Sequence, residues 1–317
     1  MELMSIENLC VRFPSPAGTV FAVNGVSLSV EKGEILGIVG ESGSGKSVTC
    51  QSLMGLLGPR ARTSGRVRYG THSVEIGEMV ALRRRGDFPA AMIFQDAVAG
   101  LNPLRTVGSQ IAEVFTFGRG LSAGEARKRT IDLLASVGIR DPEQRFTAYP
   151  HQMSGGMNQR ITIAMALAAS PELLIADEPT TALDVTVQAQ ICALLRRLVD
   201  ETGLSVIFIS HDLDLVTEFC DRVAVMYAGA LVELGASRTL RERARHPYTH
   251  ALFSAIPGHR PAFAQLEEIP GEIMINTVEP AACGFAPRCP RRQERCGIEV
   301  PPLERRTDER LACFNPH

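Results

Sequence analysis

Residues 40–47 read GESGSGKS and fit the pattern G-x-x-x-x-G-K-[ST] at every position. Chemistry at such a stretch is phosphate chemistry. Glycines let successive backbone N–H groups wrap an anion. On this pattern Gly40, Glu41, Ser42, Gly43, Ser44 and Gly45 form a cradle. Lys46 reaches the β- and γ-phosphates of a nucleotide, and the Ser47 hydroxyl ligates Mg²⁺. The chain has three lysines (Lys32, Lys46 and Lys128), which weighs against a chance glycine-rich turn.

A second set of residues suits phosphoryl transfer. LLIADEP at 173–179 puts Asp177 and Glu178 at the end of an apolar run. An Asp there holds Mg²⁺, usually through water. The Glu that follows polarises a water for attack on the γ-phosphate. A lone Asp-Glu pair is more often a solvated loop; a phosphate cradle in the same chain changes that reading. Gln95 follows AMIF and His211 follows VIFIS. Singly, each is more often structural. Together they converge with Lys46, Asp177 and Glu178 on one edge. Gln95 then senses the metal or the attacking water, and His211 donates to the γ-phosphate or orients Glu178.

A third stretch is HQMSGGMNQR at 151–160. Ser154, Gly155 and Gly156 precede an apolar-periodic run. Two glycines are a poor start for a helix unless something must come close to the backbone.

Positioning these residues needs buried strands that end at one edge. ILGIVG (35–40), AMIF (91–94), LLIA (173–176) and VIFIS (206–210) are continuous apolar runs of the kind buried on both faces of a parallel sheet. Helical patterns lie between them. VTVQAQICALLRRLVDETG has Val187, Ile191, Leu194 and Leu198 on one face, with Asp184 as N-cap and Gly203 as its close. The fold class is α/β: a P-loop NTPase with a mostly parallel core sheet. Residues 3–12 and 20–30 alternate and predict an N-terminal antiparallel part. Strand signals vanish from 103 to 160, which predicts an inserted helical subdomain at about 97–160. After about 235 prolines, arginines and cysteines rise and periodicity fades. The division is therefore a nucleotide-binding domain at 1–235 and an extension at 236–317.

Bulk properties narrow the classes. The 317 residues are 45% hydrophobic with a net charge of −2, which gives no electrostatic drive toward nucleic acid. No signal peptide is expected, nor any run long enough to span a bilayer. The chain is expected to be soluble and cytosolic, able to dock on a membrane protein. Cys10, Cys50, Cys192 and Cys220 sit in periodic apolar segments and read as small core hydrophobes. Cys283, Cys289, Cys296 and Cys313 crowd the end as C-x5-C-x6-C-x16-C. Disulfides do not suit a reducing cytosol. Four thiolates bind Zn²⁺ or an Fe–S cluster, but this spacing is neither the common zinc nor the ferredoxin run. Reduced surface thiols remain the alternative.

GESGSGKS, Gln95 in MIFQD, SGGMNQR, LLIADEP, TALD (181–184) and His211 together resemble the ATP-binding subunits of ABC transporters, in the family's order and over roughly 5–235. The resemblance implies an ATPase that works with ATP and Mg²⁺. It implies that Phe13 stacks on adenine, although the family's usual residue is Tyr. It implies that Ser154, Gly155, Gly156 and Asp184 act in trans, on ATP held by a second ATPase subunit. Two subunits facing head to tail then sandwich two ATPs. The family's Leu-Ser-Gly-Gly-Gln is Met153-Ser-Gly-Gly-Met157 here, so a polar contact from position 157 is not assumed.

AVNGVSLSVEKGEILGIVGESGSGKS, IAMALAASPELLIADEPTTALDVTVQAQI, HPYTHALFSAIP (246–257) and CGFAPRCPRRQERC (283–296) resemble the oligopeptide/dipeptide importer branch, which nickel importers share. That branch implies two ATPases, as paralogue or self-pair, with two transmembrane permeases. It also implies an extracytoplasmic solute-binding protein, no nucleic acid, and a place on the cytoplasmic face of the bacterial inner membrane. Tails of the family that carry a [4Fe–4S] cluster favour a metal at the four cysteines. IFQDAVAGLNP departs from the usual Pro-Met-x-Ser after Gln-Asp, beside the groove that grips the permease. The competing class is a soluble ABC-type ATPase acting on nucleic acid or ribosomes. It usually carries a coiled-coil insertion, a zinc insertion or a second cassette, and none is visible in this sequence.

Overall fold

A computed structural model describes residues 1–16, 18–86, 88–254, 269–274, 276–306 and 309–317. In chain order the elements are β1 (Glu2–Ser15), β2 (Gly18–Glu31), β3 (Ile35–Val39), α1 (Lys46–Leu53), β4 (Arg62–Tyr69), β5 (His72–Glu75) and α2 (Met79–Arg85). Then come β6 (Ala90–Ile93), α3 (Val107–Arg119), α4 (Ala123–Ser136), α5 (Pro142–Phe146), α6 (Gly155–Leu167), β7 (Leu173–Asp177), α7 (Val185–Thr202) and β8 (Ser205–Ile209). The last group is α8 (Leu213–Phe219), β9 (Arg222–Tyr227), β10 (Ala230–Ala236), α9 (Ser237–Arg243), α10 (Pro247–Ser254), β11 (Glu304–Arg306) and β12 (Glu309–Leu311). Two compact units emerge: Met1–Arg83 with Ile209–His317, and Arg84–Phe208.

The first unit holds two strand systems. One is an antiparallel sheet in the order β2-β1-β4-β5. Its core side is Met4, Ile6, Leu9, Val11, Val23, Val26 and Leu28, all buried. β1 is bulged between Ile6 and Leu9, and Asn8 takes a left-handed φ of 51° there. β4 crosses that bulge at Gly65, where a Cβ would meet Asn8 O at 2.6 Å. Only glycine permits such an approach. The other system runs β11-β12-β10-β9-β3, parallel at β3/β9 and antiparallel at β9/β10, β10/β12 and β11/β12. All five residues of β3 are buried, as the continuous apolar run predicts. The tail thus returns to the sheet, with Leu311 opposite Glu233 and Arg310 opposite Leu234.

The second unit carries β8-β7-β6, with β6 and β7 parallel from Ala90↔Leu173 to Ile93↔Ala176. The helical reading of 103–160 matches α3 to α6. Three of the four starts are capped by side chains: Thr106 on α3, a Ser122/Glu125 capping box on α4, and Ser154 on α6. Each such cap satisfies an N–H that the helix leaves unpaired and contributes about 1 kcal/mol. α7 begins at the predicted Asp184 cap and closes at Gly203, which has φ 72°. Its buried face is Ile191, Cys192, Leu194, Leu195, Leu198 and Val199.

Some expectations need correcting. β7 ends on Asp177, which is buried, so that carboxylate does stand at the end of a buried strand, while Glu178 lies just beyond it. β6 stops at Ile93, leaving Phe94 46% exposed. Cys50, Cys192 and Cys220 are buried, but Cys10 is half-buried, and its sulfur accepts the Gly25 N–H at 3.3 Å. The last three residues of HPYTHALFSAIP lie outside the described residues. Among the described residues no helix is long and apolar enough to cross a membrane.

Candidate functional site

In the first unit, β3 delivers the chain to the 40–47 turn at its buried end. Gly40 has φ 148°, and a Cβ there would meet Met226 O at 2.2 Å. Gly45 has φ 98° and caps α1, with Ala22 O 2.7 Å from where a Cβ would lie. Both glycines are therefore demanded by backbone conformation and by close approach. The turn is also tied down. The Gly229 N–H donates to Ser44 O at 3.0 Å, and the Thr49 hydroxyl donates to Gly45 O at 2.9 Å. Lys46 is only 7% exposed. Its ammonium donates to Gly40 O at 2.8 Å, Glu41 O at 3.0 Å and Ser44 Oγ at 3.4 Å. A cation curled over its own loop, with the N–H groups of a helix start beneath it, is an anion receptor.

Glu41 is engaged elsewhere. Its N–H donates to the Tyr248 hydroxyl at 2.9 Å, and its carboxylate takes the Arg288 guanidinium at 3.1 and 3.2 Å. Sequence reasoning missed Tyr248 and Arg288, because they stand more than 200 residues along the chain. Phe13 lies in β1 opposite Val20 and is half-exposed. His211, just past β8, is exposed.

In the second unit, Asp177 ends β7 at 5% exposure. Glu178 turns the chain with φ 49°, a left-handed conformation rare outside glycine and common at sites where geometry matters. Its Oε2 accepts the Gln95 amide at 3.1 Å and the Thr181 hydroxyl at 2.8 Å. The structure thus joins Gln95 to Glu178. Thr181 was missed as a partner, although its position three residues on in a turn is a usual one for a hydroxyl contact.

Ser154 and Gly155 are exposed at the start of α6. Ser154 Oγ accepts the Met157 N–H at 3.3 Å. The two glycines differ. A Cβ at Gly156 would strike Val187 Cγ1 at 2.6 Å, so packing against α7 explains that glycine. At Gly155 the nearest atom is Leu183 Cδ2 at 3.5 Å, an ordinary contact, so nothing described in the chain requires it. Asp184 Oδ1 caps α7 by accepting the Val187 N–H at 2.9 Å.

Beside β6, the altered IFQDAVAGLNP segment is an ordered loop. Asp96 Oδ1 accepts the N–H groups of Val98 and Ala99, and buried Gln110 bridges Asn102 and Arg105. Next to it is a groove of about 520 Å³ lined by Asn102, Arg105, Glu113, Phe117 and Met165. Phe117 and Leu104 are each 86% exposed.

Cys283, Cys289, Cys296 and Cys313 all border one narrow cavity in the first unit, together with Phe285, Arg291 and Phe314. The Cys283 N–H donates to Cys296 O at 3.0 Å. Burial raises the thiols of Cys283 and Cys289 above their ordinary range and pushes Cys313 up to about 11. Among the described residues no three His, Cys, Asp or Glu side chains form a ready-made cage for a metal ion.

Comparison with known proteins adds the following. The ABC transporter family model matches residues 23–181, and the model for the oligopeptide/dipeptide transporter C-terminal region matches 232–296. The dipeptide transport ATP-binding protein DppD of Bacillus subtilis is 45% identical over 97% of this chain and 92% of its own length. DppD of Escherichia coli is 43% identical over 100% of this chain and 97% of its own. Among solved structures, the dimeric ATP-binding cassette MJ0796 in a post-hydrolysis state bound to ADP and Pi is 28% identical, with TM-score 0.63. It covers 74% of this chain and 99% of that one. CbiO1 of Clostridium perfringens, part of an ABC transporter complex, gives TM-score 0.64 at 28% identity, over 75% and 90%.

Proposed function

The chain belongs to the ABC transporter ATP-binding family, and from that premise we propose that it is the ATP-hydrolysing subunit of an importer for di- or oligopeptides. The observation that carries the peptide reading is likeness to dipeptide transport ATP-binding proteins along nearly the whole of both chains. The tail supports it, since the 232–296 match is to the oligopeptide/dipeptide region.

Each residue has a role in this reading. Residues 40–45 cradle the phosphates, and Lys46 exchanges its loop carbonyls for the β- and γ-phosphates. Phe13 stacks on adenine. Ser47, Asp177 and Gln95 offer hard oxygen donors of the kind Mg²⁺ takes. Bound Mg²⁺ neutralises charge on the phosphates. Glu178, steadied by Gln95 and Thr181, takes a proton from the attacking water, and His211 donates to the γ-phosphate. Ser154, Gly155, Gly156 and Asp184 serve ATP held by a second ATPase subunit, a paralogue or another copy. The division into a nucleotide-binding domain at 1–235 and an extension at 236–317 belongs to the same reading. So do two permeases seated on the Arg105/Phe117 groove, a solute-binding protein beyond them, and the cytoplasmic face of the bacterial inner membrane.

Lys46→Ala placed in the chromosomal copy tests the transport reading. Uptake of labelled dipeptide by the cells is expected to fall to background while nickel uptake holds. Lost nickel uptake with intact peptide uptake reassigns the substrate, and unchanged uptake of both overturns the reading.

The four-cysteine cavity is assigned to a [4Fe–4S] cluster. Four thiols bordering one cavity are the donor set that such a cluster takes, as Zn²⁺ also does. Elemental analysis of protein purified without oxygen is expected to find iron and sulfide, lost in Cys289→Ser. Zinc in their place reassigns the centre. No metal in the wild type sinks it.

A further inference from the structure

The cradle at 40–47 is held from outside by the C-terminal extension. The Arg288 side chain is 7% exposed, and its donors are spent on distinct partners. Nη1 spans both Glu41 carboxylate oxygens and the Tyr227 hydroxyl at 3.2 Å. Nε donates to Pro270 O at 2.7 Å, and Nη2 to Ile269 O at 3.1 Å. A guanidinium can satisfy such a set because its N–H groups fan out in one plane; a lysine cannot. The second hold is Tyr248, fully buried, whose hydroxyl accepts the Glu41 N–H. Tyr248 meets Tyr227 edge-on with centroids 4.6 Å apart, and Phe285 packs on both. Tyr227 in turn lies two residues before Gly229, whose N–H binds Ser44 O.

Glu41 is the second residue of the cradle. Its N–H is held by Tyr248 and its side chain by Arg288. A phosphate cradle works through backbone N–H groups already aimed at the anion. Ordering a loose loop on binding costs affinity; ordering it beforehand does not.

We propose that Arg288 and Tyr248 are positioning residues for the nucleotide: by gripping Glu41 they hold the 40–47 turn in its phosphate-receiving shape, so that the C-terminal extension sets nucleotide affinity. This rests on the reading that the turn binds ATP. It assigns the extension a share in the ATPase reaction, beyond any role for its cysteines.

Binding of MgADP to the full-length protein, measured by titration calorimetry beside a thermal melt, tests it. Arg288→Met is expected to raise Kd about tenfold, the scale of losing a charge-assisted hydrogen bond. Tyr248→Phe removes one hydroxyl and is expected to raise it about threefold. Arg288→Lys keeps the charge but not the fan of donors and is expected to recover less than half of the loss. The effects of Glu41→Gln and Arg288→Met are expected to overlap, the double variant binding no worse than the weaker single. In turnover KM for MgATP rises with Kd while kcat stays within about twofold, because the grip acts on binding. A merely structural arginine would lower the melting temperature and leave that split absent. Kd within about twofold of wild type in Tyr248→Phe and in folded Arg288→Met, or strictly additive effects, overturns the proposal. Should Arg288→Met not fold, Tyr248→Phe and Glu41→Gln decide it. Wild-type protein that fails to bind MgADP removes the nucleotide reading itself, a distinct result.

Discussion

Glu178→Gln is expected to bind ATP as tightly as wild type and to lose turnover by at least about a hundredfold, the scale of a positioned general base. The substitution keeps the shape of the side chain and removes the basic oxygen. In the native chain the carboxylate is aimed by two donors to its Oε2, Gln95 Nε2 and Thr181 Oγ1, from a backbone held at φ 49°. Both donors suit a carboxylate acceptor, and an amide oxygen still accepts them. The arrangement therefore survives, with no group left to take the proton of the attacking water. ATP would not be consumed, and the dimer it glues together would persist. Phosphate release and size-exclusion chromatography with MgATP check both halves. Wild-type turnover in this variant removes Glu178 from the mechanism.

Gly155→Ala separates what the chain needs from what a mate needs. The nearest described atom to a new Cβ is 3.5 Å away, so there is room. Alanine is also the better helix former, by about 1 kcal/mol. The melting temperature should hold or rise. ATPase activity should nevertheless fall about a hundredfold, as when an anion-binding donor set is blocked. Stability kept with activity lost means that the added methyl meets something brought by a second subunit. Gly156→Ala cannot make this separation, because Val187 already occupies that space. Ser154→Ala is also mixed, since Ser154 caps α6. If Gly155→Ala and Ser154→Ala both hydrolyse ATP at full rate, the in-trans reading fails.

The legible parts of this chain were those where local chemistry and tertiary need agree. The cradle is legible because Gly40 and Gly45 are required by the backbone itself. The strands β3, β7 and β8 are legible because burial on both faces leaves an unbroken apolar run. α7 is legible from its Asp184 cap to Gly203. β4 was not seen, because RTSGRVRY is a mostly exposed strand that reads as a polar stretch. β9 was overlooked although RVAVMY has the same unbroken apolar look as β3. β11 and β12 are three residues each, too short for periodicity to register. The hold on Glu41 was invisible for another reason. It pairs residues that only the folded sheet brings together, and neither Tyr248 nor Arg288 belongs to a phosphate motif.

Arg84–Phe208 is one uninterrupted run, whereas the unit bearing the phosphate turn is made from segments on either side of it. A ribosome therefore finishes the helical unit while the other still lacks β9 to β12. At about 5–20 residues per second, the wait from residue 208 to β12 is roughly 5–20 s. When residue 208 is added Lys46 is already made, but Tyr248 and Arg288 are still about 40 and 80 residues away. Nascent chains should thus acquire a firm grip on nucleotide late, once residues 248 and 288 have joined the fold.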